Sequence, residues 1–175
     1  LYRTAWAKRI DARWEEKVLQ TADGILTTVG GNLVCKLQTK APHQNFHVLP
    51  NGYDAPLMSS TPKTQLIDFH VVYTGLLTEN QDYLSTIGVL NTLADQHQIR
   101  LSLAGNIAPG IIEKIQGTAT KIEVDYKGYL SHQQAISLMK SGDLLLNFVF
   151  RGADWDMISG KLLEYLATTI PLLSI

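Results

Sequence analysis

At 175 residues, with 45% hydrophobic and 18% charged side chains, the chain can bury one sizeable core plus part of another, and its composition excludes disordered and fibrous classes. A formal net charge of -1 gives no electrostatic reason to bind nucleic acid. The lone Cys35 excludes an internal disulfide and any cysteine-built zinc or redox motif, which points to a reducing, cytoplasmic setting.

From the first residues, Tyr2, Trp6, Ile10, Trp14 and Val18 recur at every fourth position, the spacing of a long amphipathic helix. Its polar side sets Arg3, Lys8, Arg9, Arg13 and Lys17 against Asp11, Glu15 and Glu16. An ordinary packed helix with a solvated face and peripheral attachment to the inner face of a membrane are both compatible with that pattern. Residues 24–29 are β-rich, Gly30 and Gly31 break them, and Asn32 is predicted to cap a helix over LVCKLQ. A second extended piece, 46–49, runs into Pro50.

Residues 54–65 carry Pro56, Ser59, Ser60, Thr61 and Pro62 without periodicity, and a domain boundary is predicted there. Beyond it the pattern alternates: strand 69–74, helix 80–96, strand 99–104, helix 109–115, strand 122–126, helix 132–140, strand 143–149, helix 159–167 and strand 171–175. Pro109 suits a first helical turn and Gly117 a position just past a last one. This order predicts an α/β fold, a Rossmann-like doubly wound parallel sheet with right-handed crossovers. Residues 144–150 are apolar apart from Asn147, as in a strand buried on both faces, and are far short of the ~20 residues of a membrane-spanning helix. In the common order 3-2-1-4-5, the first and fourth strands meet at the topological switch point, where such sheets bind ligands. The loops 75–80 and 150–158 would then face each other, flanked by Gly105-Asn106 and Gly128-Tyr129.

Four glycines, Gly75, Gly105, Gly128 and Gly160, end strands or enter helices at that edge, as a closely approached ligand would need. No G-x-G-x-x-G, G-x-x-x-x-G-K-[ST] or G-x-S-x-G occurs, which counts against dinucleotide dehydrogenases, P-loop ATPases and serine hydrolases. His43 and His47 have helical ligand spacing, yet Pro42 and the strand-like FHVLP take them off a helix, so no metal is expected there. Glu164 lies four residues past Gly160, in the first turns of a helix aimed at the crevice. It is either a dipole-favoured surface acid or a carboxylate able to accept two hydrogen bonds from a ribose diol.

GKLLEYLATTIPLL (160–173) resembles the GK-l-x-EYLA-x-x-x-P-i-l segment of the retaining GT-B glycosyltransferases called group 1, and LPNGYD (49–54) resembles their hinge. ADGILTTV (22–29) is similar to the strand before that hinge. The resemblance implies a two-domain enzyme in which residues 1–54 are the tail of an N-terminal acceptor domain with its hinge, 55–65 a linker and 66–175 the donor half of a GT-B fold. It implies a nucleotide-diphosphate sugar as donor, an unidentified acceptor and no cofactor or metal. Glu164 would hold the donor ribose, and Gly128, Tyr129 and Leu130 would receive the base. Ser159, Gly160 and Lys161 would cradle the diphosphate, with backbone at Gly75 close by, and Asp156 would stand where the family has its first acid. The fragment alone is expected to be inactive.

Two sets of residues are among the chain's departures from the family. Asp156 is shorter than the usual Glu, and the loop GLLTENQ (75–81) has no basic residue to neutralise donor phosphates, leaving Lys161 and Arg151 as substitutes. A nucleotide-sugar epimerase of similar fold and a degenerate, non-catalytic homologue remain the alternatives.

Overall fold

The computed structural model of the chain describes residues 4–53, 68–152 and 158–175, which divide into two units, 4–52 and, essentially, 68–152 with 159–175. The predicted linker at 55–65 lies outside the described residues.

In the first unit, helix α1 (Ala5–Thr21) starts where the Thr4 side chain accepts from the Ala7 amide at 3.2 Å. Strands β1 (Ile25–Thr27) and β2 (Phe46–Val48) pair in parallel, joined through helix α2 (Asn32–Lys40). Asn32 is the first helical residue rather than the cap: Gly31, at φ 59°, holds that place, a backbone angle that glycine adopts without strain. The apolar stripe of α1 behaves differently from that of a packed helix. Trp6, Trp14 and Val18 stay exposed, while Leu19, on the other side of the helix, is its buried residue. That inner side meets α2 through the Glu15–Lys40 ion pair.

The second unit is a five-stranded parallel sheet in the order β5-β4-β3-β6-β7. Its strands are β3 (Phe69–Thr74), β4 (Ile99–Ala104), β5 (Glu123–Tyr126), β6 (Leu144–Asn147) and β7 (Leu172–Ser174). Between them run α3 (Tyr83–Leu93), α4 (Pro109–Thr118), α5 (His132–Ser141) and α6 (Gly160–Ala167). Counted within this unit the order is 3-2-1-4-5, as expected. Element boundaries differ from the sequence reading, most at α3, which spans 83–93 against the expected 80–96, and at β6, which spans 144–147 against 143–149. α3 begins at Tyr83 because Thr78 to Asp82 form a hydrogen-bonded turn around Gln81, and α4 runs through Gly117 to Thr118.

Side-chain alternation along β3 sorts the core into two layers. Val71 and Tyr73 pack with Ile87 of α3 and Ile111, Ile112 and Ile115 of α4. Val72 packs on the opposite face with Ile136 and Met139 of α5 and Tyr165 of α6. Each such fully buried aliphatic side chain contributes roughly 1.5–3 kcal/mol, so the sheet centre is the most strongly held part of the unit. Caps set the helix starts that matter for the site. Ser131 and Gln134 form a reciprocal capping box on α5, and the Ser159 hydroxyl accepts from the Leu162 amide on α6.

Candidate functional site

The carboxyl edge of the second unit's sheet is stitched by backbone bonds between loops. Gly75 N–H donates to Ala104 O, Gly105 N–H to Gly128 O and Leu77 N–H to Asn106 O, at 2.8, 2.8 and 3.3 Å. Across the switch point, Arg151 N–H donates to Asn80 O at 2.9 Å, and buried Gln81 donates from Nε2 to Phe148 O at 2.9 Å. The loops after β3 and β6 therefore meet, as the strand order requires. Gly105 is explained by this stitching and not by a ligand. It sits at φ 123°, and a Cβ there would lie 2.1 Å from Gly75 O.

At this edge lies a cavity of about 240 Å³ lined by Gly75, Tyr129, Leu130, His132, Lys161 and Glu164, among others. It gathers five of the sequence-predicted site residues: Gly75, Tyr129, Leu130, Lys161 and Glu164. Ser159 and Gly160 open α6 beside it, with Ser159 as the cap. Gly128, at φ 68°, gives its carbonyl to Gly105 and presents Tyr129, which is 87% exposed. Asp156 falls outside the described residues. Arg151 is not among the lining residues and faces Asp82 at 3.5 Å, so among the described residues Lys161 is the cation that lines the cavity.

Lys161 reaches the cavity from the first turn of α6. Its side chain lies along Gly75, where a Cβ would stand 3.2 Å from Lys161 Cδ, so glycine leaves it room. Its Nζ sits 4.3 Å from the Tyr73 ring centroid and 5.7 Å from that of Tyr165. No carboxylate among the described residues pairs with it, and burial pushes its amine down to about 8. Aromatic faces attract the ammonium but carry no compensating charge. Beneath it, burial raises the Tyr73 hydroxyl well above its ordinary value, so it stays protonated and donates to Leu76 O at 2.5 Å.

Glu164, largely shielded, places Oε1 3.8 Å from His132 Nδ1, too long for a hydrogen bond. Both carboxylate oxygens can therefore still take donors from a ligand. Sequence reasoning missed His132 and Tyr165. His132 opens α5 two residues past the loop 128–130 assigned to the ligand, so its nearness to that loop was available in the sequence. The Tyr165 contact depends on a partner 91 residues away. Among the described residues no group of three or more His, Cys, Asp or Glu could hold a metal ion, and no helix is long and apolar enough to cross a membrane.

No protein-family model matches the chain, and no curated protein matches it. Solved structures do. A TarM variant from S. aureus, in complex with fondaparinux, alpha-GlcNAc-glycerol and UDP, gives a TM-score of 0.67 at 9% identity over 94% of this chain and 32% of its own. HepE from Anabaena, in complex with UDP and glucose, gives 0.64 at 16% identity over 95% of this chain and 48% of its own. A glycosyltransferase from Rickettsia africae gives 0.65 at 12% identity over 99% and 55%. The chain thus spans from about a third to just over half of these neighbours' lengths. At such identities the likeness is one of fold: the chain has the Rossmann-like α/β fold of GT-B glycosyltransferases.

Proposed function

We propose that the chain is the donor-binding part of a GT-B glycosyltransferase that moves a sugar, with retention, from a nucleoside-diphosphate donor to an acceptor. The observation that carries this reading is the pairing, in one switch-point cavity, of an uncompensated ammonium, Lys161, with an open carboxylate, Glu164. A half-buried ammonium without an ion-pair partner is costly, and a ligand anion offsets the cost. A nucleoside diphosphate offers that anion next to a diol that can donate twice to a carboxylate.

In this reading Lys161 faces the diphosphate and Glu164 the ribose. The cavity is smaller than the roughly 300–1,000 Å³ of ordinary ligand pockets, so it would seat the diphosphate and ribose and leave the base on exposed Tyr129 beside Gly128 and Leu130. As the sugar–phosphate bond breaks, negative charge grows on the departing diphosphate, and the fixed Lys161 charge stabilises it without a metal or cofactor. By the family resemblance, Asp156 would act on the donor sugar. Residues 1–54 are the tail of the acceptor-side domain and its hinge, and 55–65 the linker, in a cytoplasmic protein. The bare Trp6–Trp14–Val18 stripe of α1 is available to further polypeptide of that domain or to an anionic membrane surface. A donor-binding homologue without catalysis is the second reading, favoured by the loop 75–81, whose one charged residue, Glu79, is neutralised by Lys114 at 2.7 Å.

The test is calorimetric titration of the chain and of Glu164→Ala with UDP and 2′-deoxy-UDP, repeated with the other nucleoside diphosphates. Glu164→Ala should keep its fold, lose roughly ten- to a hundredfold in affinity and no longer prefer ribose to deoxyribose. Equal affinity in both proteins would remove the ribose role and the donor reading with it.

A further inference from the structure

Strands β3 and β6 part company in the middle of the sheet. Their pairing extends only over Val71↔Leu144 and Val72↔Leu145, although β3 runs on to Thr74. Backbone groups alternate sides along a strand, and the Gly75 amide donates to Ala104 on the β4 side. The amide and carbonyl of Thr74 therefore point to the β6 side, where no strand receives them. Buried backbone groups are almost never left unpaired. Here the partner is a side chain. The Tyr165 hydroxyl accepts from Thr74 N–H at 2.8 Å and donates to Thr74 O at 3.2 Å, with Thr74 Oγ1 3.1 Å away.

Tyr165 is fully buried, so water cannot take over these bonds. It also stands at the one place where they have consequences for the cavity. Thr74 immediately precedes Gly75, along which the Lys161 side chain lies. On α6, Lys161 is one turn before Tyr165 and Glu164 is its neighbour. Moving the hydroxyl's anchor would shift the crevice wall and both charged residues together.

We infer that Tyr165 is a positioning residue, its hydroxyl standing in for the absent strand partner of Thr74, so that the crevice between β3 and β6 stays open with Lys161 and Glu164 seated in it. An ordinary core tyrosine would fill space and need one partner. This one satisfies the donor and the acceptor of a single backbone position. The inference rests on the donor-site reading for its effect on ligands, but not for its effect on the backbone.

The experiment combines amide hydrogen exchange with titration on the chain, on Tyr165→Phe, and on Met139→Ala as a control that weakens the same core layer away from Thr74. In the unmodified chain the Thr74 amide should exchange as slowly as that of Val72, which is still paired with β6. In Tyr165→Phe, exchange at residues 74–77 should accelerate at least about tenfold beyond its change in Met139→Ala. Affinity for inorganic pyrophosphate and for UDP should fall roughly tenfold in Tyr165→Phe and hold in Met139→Ala. A Thr74 amide exchanging like an exposed loop overturns the inference, and does so even where Tyr165→Phe fails to fold. Exchange and affinities in Tyr165→Phe that match those of Met139→Ala overturn it as well. If the unmodified chain binds neither pyrophosphate nor UDP, the donor-site reading falls, while the exchange measurement still decides the role of Tyr165.

Discussion

Replacing Lys161 by Met should make the folded chain more stable at neutral pH while abolishing anion binding. In the unfolded chain the amine titrates at its ordinary 10.5, and in the folded chain at about 8, because burial disfavours the charged form. A depression of about 2.5 units corresponds to a cost on the order of 3 kcal/mol for carrying the ammonium into the fold. The Tyr73 and Tyr165 ring faces return about 0.5–2 kcal/mol of that. Met, of similar length and uncharged, should therefore gain roughly 1–2 kcal/mol in urea denaturation at pH 7. Below pH 8 both states are charged and the full cost is present. Between about 8 and 10.5 the folded amine sheds its proton first, so the cost fades and with it the advantage of Met. Pyrophosphate affinity of the unmodified chain should weaken over the same window, because the anion must then recharge the amine. A Met variant that is less stable at pH 7, or a stability difference that does not change between pH 7 and 10.5, would show that the ammonium is not desolvated.

Two further outcomes test the fold and its surface. Gly105→Ala should cost roughly 3 kcal/mol or more in thermal unfolding, since its Cβ would overlap the Gly75 carbonyl at 2.1 Å and its φ is 123°; a loss below about 1 kcal/mol would mean that the loops are not stitched as described. On the α1 stripe, Lys17 Nζ lies 5.2 Å from the Trp14 ring, and Arg9 and Arg13 flank the exposed apolar residues. Tryptophan fluorescence should shift to the blue with phosphatidylglycerol vesicles and not with phosphatidylcholine, and Trp6→Ser/Trp14→Ser should lose the shift. Absence of cosedimentation with the anionic vesicles would remove the membrane from the partners.

The second unit was legible in the sequence because its signals are local and agree with one another. Apolar runs at 69–74 and 99–104 gave strands with the observed ends, and Pro109 marked a helix start through its fixed backbone. The order of strands followed from alternation plus crossover handedness. What stayed hidden depends on side chains meeting across the chain. The four-residue repeat in α1 fixes a helix, but whether its tryptophans are covered depends on what packs there, and Leu19 faces inward instead. Gly105 reads as a ligand glycine by position, and only the approach of Gly75 reveals the backbone reason for it. Glu164, by its place on α6, and Lys161, through the family resemblance, were both expected at the crevice, and both line the cavity. The lock at Tyr165 was not, since it depends on β3 outrunning its pairing with β6.

The charges of the cavity constrain what can occupy it. The segment between β3 and α3 holds no base and its two acids are tied up, Glu79 with Lys114 and Asp82 with Arg151, so the local fixed charges reduce to Lys161 and Glu164, with His132 alongside. These two nearly cancel. A bare anion gains at Lys161 but meets the field of Glu164, and a bare diol gains at Glu164 while leaving the ammonium unsatisfied. A molecule that carries an anion and a diol a few bonds apart satisfies both, and the first contact makes the second effectively intramolecular. In the proposed donor-site reading, selectivity for a nucleoside diphosphate over phosphate or nucleoside would follow from one positive and one negative group on a single helix. It requires that α6 be held in fixed register with the end of β3, which is the contribution of the Tyr165–Thr74 contact.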